Sequence, residues 1–186
     1  ERSETLAFIS HDIRAPLASA LMQLDSLPAE TQARLRDPLG RGLTLAEEFL
    51  RTSRAEMLDA ARFEELDFVA LVHQAIDDAY TAARARQVKL VRQLPDEPVW
   101  VQGEFGLLHR AMLNLILNAV HYAPERSQVL VRIATEDGSV EASVTDFGPG
   151  IPAENQARLF QRFSRGASGQ TTGTGLGLYF VRTVAE

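Results

Sequence analysis

Glycine is concentrated in one part of this chain of 186 residues, because seven of its twelve glycines fall between Gly148 and Gly177. Residues 146–150 (DFGPG) follow an alternating apolar stretch, and residues 173–177 (GTGLG) precede an apolar helical run. Glycine lets the backbone approach a ligand closely, and a glycine-rich turn that opens a helix presents free N–H groups and the positive end of the helix dipole to a phosphate. Two such turns in one small domain predict a nucleotide site.

The composition is that of a globular protein with one or two domains, with 45% hydrophobic and 24% charged residues. The absence of cysteine excludes disulfides and cysteine-ligated metal and is consistent with a reducing compartment. A net charge of −6 argues against a broad nucleic-acid surface. There is neither a signal peptide nor an apolar run long enough to cross a bilayer. Because the chain begins within a helical pattern, we expect it to be a piece of a longer protein.

The first part of the chain predicts a helical hairpin. Apolar residues at three- and four-residue spacing form one stripe, namely Leu6, Ile9, Ile13, Leu17, Leu21, Leu24 and Leu27. Turn-forming residues then mark a break, namely Pro28, Pro38, Gly40 and Gly42, and a second stripe runs from Leu43 to Ala60. Two helices of this length bury little core alone, so we expect the hairpin to pair with a second copy as a four-helix bundle.

The rest of the chain predicts a mixed α+β domain, because the composition changes near residues 63–68. Helices are expected from Phe68 and over residues 105–122, and strands near residues 88–91 and 99–101. Two alternating segments, 129–133 and 140–144, flank Asp137-Gly138 and predict a β-hairpin. We expect helices on one face of a largely antiparallel sheet.

One histidine in the first helix has a distinctive context. His11 lies opposite the apolar stripe and is therefore expected to be exposed, with Asp12 available to hold its second ring proton. Pro16 is expected to bend the helix at this point. An exposed helical histidine is ordinarily a solvated surface residue, which is our interpretation of His73 and His109. The complete run of residues 8–17 (FISHDIRAPL), however, resembles the H-box of sensor histidine kinases, which carries their phospho-accepting histidine.

Polar residues in the second half of the chain agree with the resemblance to sensor histidine kinases. Asn114, Asn118 and His121 form one polar stripe on an apolar helix, and amide oxygens suit Mg²⁺ that already holds phosphate oxygens. The alternative is a polar face that meets water. Asp146 ends a predicted strand, where its carboxylate can accept a hydrogen bond from the exocyclic amine of adenine. The alternative there is an ordinary turn.

In order along the chain, these segments resemble the N-box, G1, F-box and G2 motifs of the histidine-kinase ATP-binding domain. That fold is shared with type II topoisomerases and heat-shock chaperones, and the resemblance covers nearly the whole chain. It implies that Asn118 and Asn114 coordinate Mg²⁺, that Asp146 binds adenine, and that residues 151–172 form a lid over the phosphates. The implied ATP site comprises Asn114, Asn118, His121, Tyr122, Asp146, Gly148, Gly150, Arg162, Arg165, Gly173, Gly175 and Gly177. The alternative for the two arginines is that they only increase solubility.

The resemblance also implies a function. A dimerisation and phosphotransfer domain (1–65) would precede an ATP-binding α/β sandwich, the Bergerat fold (66–186). His11 would take a phosphoryl group from ATP, with Asp12 as general base, and pass it to an aspartate of a response regulator. We expect a cytoplasmic homodimer without direct membrane contact in this segment, although the full protein can be anchored upstream. The alternatives are an ATP-binding pseudokinase or scaffold, and an ATPase switch that never labels itself.

The sequence departs from the family pattern at three places. Ala15 stands where the family often has Thr or Asn, which predicts weak phosphatase activity toward the regulator. His121 stands where the family commonly has Lys, so we expect nucleotide affinity to rise as pH falls. The sequence ends in the helix after Gly177, where the family normally continues with two more strands. We therefore expect a domain without its last strands.

Overall fold

The computed structural model describes residues 15–16, 18–56, 63–164 and 174–186. Residues 18–23 are helical and lead into a 3₁₀ turn at Leu24–Ser26, after which Leu27 is extended. Helix α1 then runs without interruption over Ala29–Ala55. The break near Pro28 is therefore confirmed, whereas the expected break at residues 38–42 is wrong. A single proline removes only one helical hydrogen bond, and the helix of 27 residues continues on both sides of Pro38.

The second part of the chain alternates strands and helices, as the sequence predicts. Its elements in chain order are β1 Glu64–Asp67, α2 Phe68–Ala85, β2 Lys89–Gln93, β3 Trp100–Gly103, α3 Phe105–Tyr122, β4 Gln128–Glu136, β5 Ser139–Thr145, the short α4 Ala153–Gln156, and α5 Gly177–Ala185. Helix α3 has the bounds that the apolar periodicity predicts. The α+β class is confirmed.

The strands form two separate sheets. β1 pairs antiparallel with β3, and the second sheet has the order β2-β4-β5. β4 and β5 form the predicted antiparallel hairpin, in which Asp137 and Gly138 have φ angles of 49° and 78°, as a type I′ turn requires. The pairing of β2 with β4 is parallel, so this sheet is mixed rather than largely antiparallel. The long connection through β3 and α3 makes the parallel pairing possible.

Helices α2 and α3 pack together beside the three-stranded sheet and form the core of this part of the chain. Fully buried side chains come from both helices and from β4, and include Leu71, Val72, Ile76, Ile116, Val120, Val129 and Val131. The Asp67 carboxylate caps α2 by accepting hydrogen bonds from the N–H groups of Val69 and Ala70 at 3.0 and 3.3 Å. Strand β1 spans residues on both sides of the expected domain boundary at 65/66. No described helix combines the length and apolar character that a membrane span requires.

Helix α5 contacts both parts of the chain. It packs on α3 and also contacts α1. Leu176 and Phe180 are 1% and 3% exposed. Thr52 of α1, 3% exposed, lines a small cavity together with these two side chains. The C-terminal half of α1 therefore lies directly against the helix that the second glycine turn opens.

Candidate nucleotide site

The first glycine turn is pressed against the end of α3. The N–H of Gly148 donates to Oδ1 of Asp146 at 2.8 Å, which holds the half-buried carboxylate beneath the turn. A Cβ atom at position 148 would lie 2.6 Å from the backbone oxygen of Tyr122 and 2.8 Å from Asp146 Oδ1. Only glycine fits this close approach. Gly150, with φ at 71°, then turns the chain away in open space.

The asparagine face of α3 meets the second glycine turn. Asn114 donates from Nδ2 to the backbone oxygen of Gly177 at 3.3 Å, and its side chain is half-buried. Asn118, one turn further along α3, is also half-buried. The described residues include no group of three His, Cys, Asp or Glu side chains placed to hold a metal ion. Amide oxygens of this face can serve as ligands for a cation that a phosphate brings with it.

The N-terminus of α5 has no side-chain cap, which distinguishes it from the other two long helices of residues 63–164 and 174–186. Asp67 caps α2, and the Glu104 carboxylate caps α3 by accepting from the Leu107 N–H at 2.6 Å. The first N–H groups of α5 therefore face the turn without a carboxylate from their own N-cap residue. Free N–H groups and the helix dipole together make this end a favourable place for an anion.

At Gly175 the second glycine turn passes close to the backbone of Ser164. The φ angle of Gly175 is 76°, and a Cβ atom there would lie 2.7 Å from the backbone oxygen of Ser164. The Leu176 N–H donates to Thr174 Oγ1 at 3.4 Å. Ser164, which belongs to the expected lid of residues 151–172, therefore lies against the turn that opens α5.

His121 and Tyr122 stand at the C-terminal end of α3. Their rings meet edge to face with centroids 4.9 Å apart, and Tyr122 is 39% exposed. Tyr122 is eight residues beyond Asn114, or about 12 Å along the helix. The half-buried Asp146 carboxylate therefore lies near the C-terminal end of α3, whereas the uncapped start of α5 contacts the middle of that helix through Asn114.

The side chain of Arg162 is 43% exposed but is paired with residues of two other segments. Its guanidinium donates to Oε1 of Glu56, the residue that follows α1, and lies 4.9 Å from the centre of the Tyr179 ring. The Tyr179 hydroxyl donates to the same Glu56 oxygen at 2.7 Å. Partial burial raises the pKa of Glu56, but the hydrogen bonds from Tyr179 and Arg162 and the arginine charge outweigh it, so the pKa lies below its ordinary value. The hydrogen bond to Glu56 raises the pKa of Arg162.

Several predicted site residues lie outside the described residues, namely His11, Asp12, Arg165 and Gly173. The two histidines without an assigned role make local contacts. His73 Nδ1 is 2.7 Å from Arg92, and His109 Nε2 is 3.2 Å from Asp78.

Sequence reasoning missed the side chains that α1 brings to the site, Glu48 and Glu56. Their spacing of eight residues, with Thr52 between them, was a signal for one polar helix face.

The comparisons with known proteins agree with this geometry. Residues 103–186 match the model of the family described as "Histidine kinase-, DNA gyrase B-, and HSP90-like ATPase". A solved mycobacterial sensor histidine kinase, MprB, is 30% identical, with a TM-score of 0.58 over 66% of this chain and 77% of that one. The chain belongs to the sensor histidine kinases. Its helices and mixed sheet have the fold of their Bergerat-type ATP-binding domain.

Longer relatives extend the similarity of this histidine kinase chain beyond the ATP-binding domain. The sensor histidine kinase TrcS of Mycobacterium tuberculosis is 38% identical over 95% of the chain. The structure of full-length ShkA in complex with AMPPNP is 28% identical, with a TM-score of 0.75 over 98% of the chain. The chain spans 38% of TrcS and 40% of ShkA, so it corresponds to well under half the length of these relatives.

Proposed function

We propose that this chain is a sensor histidine kinase core that binds ATP with Mg²⁺ and transfers the terminal phosphoryl group to His11. One observation carries the proposal. The uncapped N-terminus of α5 is tied through Gly177 to Asn114 in the middle of α3, and the tight turn at Gly148 lies against the C-terminal end of the same helix. This arrangement offers an anion site and a carboxylate that can bind adenine along one helix.

The base end of the proposed site consists of Asp146, Tyr122 and the first glycine turn. Gly148 holds one carboxylate oxygen of Asp146, and no described side chain donates to the other. That oxygen is free to accept from the exocyclic amine of adenine. Gly148 and Gly150 keep side chains out of the space below the base, and the partly exposed Tyr122 ring lines it.

The phosphate end consists of the α5 terminus, with Gly173, Gly175 and Gly177, and the polar face of α3. Asn118 and Asn114 would hold Mg²⁺ through amide oxygens, while His121, Arg162 and Arg165 would face the phosphates. A metal held there would neutralise the charge that develops on the phosphate oxygens. The chain's own contribution is to orient the polyphosphate and to supply fixed N–H donors.

The acceptor histidine lies in the first domain, which we assign to residues 1–65. The ATP-binding domain then covers residues 66–186, and β1 lies at the junction of the two domains. A neutral ring nitrogen of His11 forms the new N–P bond as the bond to the ADP oxygen breaks, and Asp12 accepts the ring proton as general base. We propose a cytoplasmic homodimer that passes the phosphoryl group to an aspartate of a response regulator. The names of two relatives, sensor histidine kinase TrcS and sensor-like histidine kinase SenX3, support the histidine kinase activity in this proposal.

A pseudokinase that only binds nucleotide is the alternative, and the AMPPNP complex of ShkA is consistent with either function. The proposal predicts that incubation with γ-labelled ATP and Mg²⁺ gives a label that is labile in acid and stable in alkali. Label should fall to background in His11→Gln. His73→Gln, the same substitution at a half-buried position of α2, should label as the wild type does.

The outcomes of this experiment separate the candidate functions. Nucleotide binding without label in the wild-type chain would identify a pseudokinase. ATP turnover without label would identify an ATPase switch. Label that persists in His11→Gln would contradict the assigned acceptor.

A further inference from the structure

The outer face of the β1–β3 sheet presents a tryptophan beside carboxylates. Trp100 lies opposite Asp67 in the antiparallel register, so the two side chains share one face of the sheet. Glu65 is two positions away on the same strand and shares this face, while the alternate positions pack on the core. Trp100 is 60% exposed, although tryptophan is among the residues most enriched where proteins bind each other. This face therefore has the composition of a binding surface.

A cavity of about 360 Å³ adjoins this face, between the start of α2 and the loop that joins β2 to β3. Apolar side chains form part of its wall, namely Val69, Leu94, Pro95 and Pro98. The carboxylates of Asp67 and Asp96 also line it. Arg92 lines it as well, but its guanidinium is already paired with Asp77 and with the ring of His73. Apolar walls with two carboxylates suit a long cationic side chain, whose stem packs on the walls while its charged head meets the carboxylates.

Four carboxylates and Trp100 together form an acidic end of the domain, beside the first turn of α2. The carboxylates are those of Glu65, Asp67, Asp96 and Glu97. Glu97 adjoins Asp96 in the β2–β3 loop, and both side chains are exposed. Such a surface attracts a cationic partner, and the tryptophan ring offers its face to a guanidinium.

The C-terminal end of α2 is basic. Four exposed cations lie in or beside the loops that follow α2 and α3, and they define this basic end, namely Arg84, Arg86, Lys89 and Arg126. A hydrogen bond from Arg126 Nε to Gln87 Oε1 at 3.1 Å joins the two loops. Gln87 and Arg126 have φ angles of 57° and 60°, at which glycine would be less strained. The fold therefore keeps long side chains at two positions that favour glycine, and both positions lie at the basic end.

We propose that the acidic end of one copy of this chain binds the basic end of another copy, with a cationic side chain in the cavity and Trp100 against the arginines. The two ends are opposite in sign and carry four charges each. Helix α2 separates them by about 27 Å over its 18 residues, so a single copy cannot pair them. The net charge of −6 opposes the approach of nucleic acid or anionic lipid, which favours a local group of carboxylates as the partner of the basic end.

The proposed contact is head-to-tail, so a bound copy keeps one free end of each sign and the addition of copies continues. It differs from the pairing of helical hairpins that we expect within a dimer, and it would link such dimers to one another. Exposed ion pairs contribute little singly and are screened by salt, so we expect a weak association that depends on ionic strength. It requires neither the nucleotide site nor the assignment of His11.

The fluorescence of Trp100 reports this contact directly, because Trp100 is the only tryptophan of the chain. At about 0.05 M NaCl, raising the concentration of the wild-type chain should shift the emission to shorter wavelengths as the ring is buried. Sedimentation should show the average mass rising over the same range of concentration. Both changes should disappear at about 0.5 M NaCl, where charges further apart than a few ångströms are screened.

Charge reversal identifies the two surfaces. Arg84→Glu/Lys89→Glu alters only the basic end, and Glu65→Lys/Asp96→Lys alters only the acidic end, so each variant alone should associate at least about tenfold more weakly than the wild type. A mixture of the two should associate again and recover part of the emission shift, because it supplies one intact end of each sign. Glu136→Lys/Glu141→Lys is the matched control, since it reverses two exposed carboxylates of the β4–β5 hairpin and should associate in the same salt-dependent way as the wild type.

Trp100→Thr keeps every charge and should also weaken the association, with an unchanged melting temperature because the ring is exposed. A wild-type chain whose mass and emission stay constant up to millimolar concentration at low salt would overturn the proposal. Association that persists in both reversal variants, or in 0.5 M NaCl, would overturn it too. So would a mixture that fails to associate although both variants melt at the wild-type temperature. Binding to DNA or anionic vesicles that Arg84→Glu/Lys89→Glu abolishes, without self-association, would assign the basic end to a polyanion instead.

Discussion

Gly148→Ala is expected to lower the affinity for ATP with Mg²⁺ by about two orders of magnitude, which corresponds to roughly 2.7 kcal/mol at 1.36 kcal/mol per tenfold. The added methyl would lie 2.6 Å from the backbone oxygen of Tyr122 and 2.8 Å from Asp146 Oδ1. The first of these atoms belongs to the end of α3 and cannot rotate away. The turn must therefore move off the helix, which breaks the 2.8 Å hydrogen bond that orients Asp146. Calorimetric titration of the variant measures the loss.

Gly42→Ala is the control for this substitution. Gly42 lies within α1, and a Cβ atom there would meet nothing within 4 Å. The alanine should stabilise the helix by about 0.5–1 kcal/mol and leave nucleotide affinity unchanged. Full affinity in Gly148→Ala, with Gly42→Ala also unaffected, would contradict a site built on the first glycine turn.

Gly175→Ala is expected to reduce affinity by at least about tenfold and also to lower the melting temperature. Two effects act together. The φ angle of 76° costs an alanine roughly 1–2 kcal/mol, and the Cβ atom would lie 2.7 Å from the backbone oxygen of Ser164. Relief of that contact requires the start of α5 to move away from Ser164. The N–H groups of the helix terminus, which Asn114 positions through Gly177, would move with it.

Gly138→Ala separates the two effects. Gly138 has a nearly identical φ angle, 78°, but a Cβ atom there would meet nothing within 4 Å. This variant should lose about 1–2 kcal/mol of stability and keep its nucleotide affinity. The prediction for position 175 fails if both variants bind equally well. In that case backbone strain alone would explain the destabilisation, and the contact with Ser164 would have no part in the site.

The elements that depend on local pattern were predictable from the sequence. Helix α3 has apolar residues at helical spacing over its full length, and its bounds follow from that pattern. The β4–β5 hairpin follows from two alternating segments around Asp137-Gly138. In both cases the residues that determine the structure lie within a few positions of one another, so no long-range contact has to be known.

The elements that depend on distant partners were not predictable. Strand β1, with the sequence EELD, has no apolar alternation and exists because it pairs with β3. The parallel register of β2 and β4 depends on how the chain between them packs. Helix α1 passes through Pro38, Gly40 and Gly42 although each of these residues lowers helix propensity.

Some features of the site were likewise predictable from the sequence, and others were not. The glycine turns and the asparagine stripe were visible because each lies in a short segment with a characteristic spacing. The contact between Asn114 and Gly177 joins residues 63 positions apart, and the contacts of Glu48 and Glu56 with the second part of the chain span 106 to 126 positions. Spacing showed that Glu48 and Glu56 share a helix face. It could not show which surface that face meets. The assignment of His11 as acceptor stays a prediction.

We propose that one nucleotide bridges the two glycine turns along α3. Amide hydrogen exchange of the wild-type chain, with and without ATP and Mg²⁺, measures this binding. We expect saturable binding of one nucleotide per chain, with slower exchange at residues 146–150, at the C-terminal half of α3 and at residues 174–180. An absence of binding at millimolar ATP, or protection confined to segments other than these three, would contradict it.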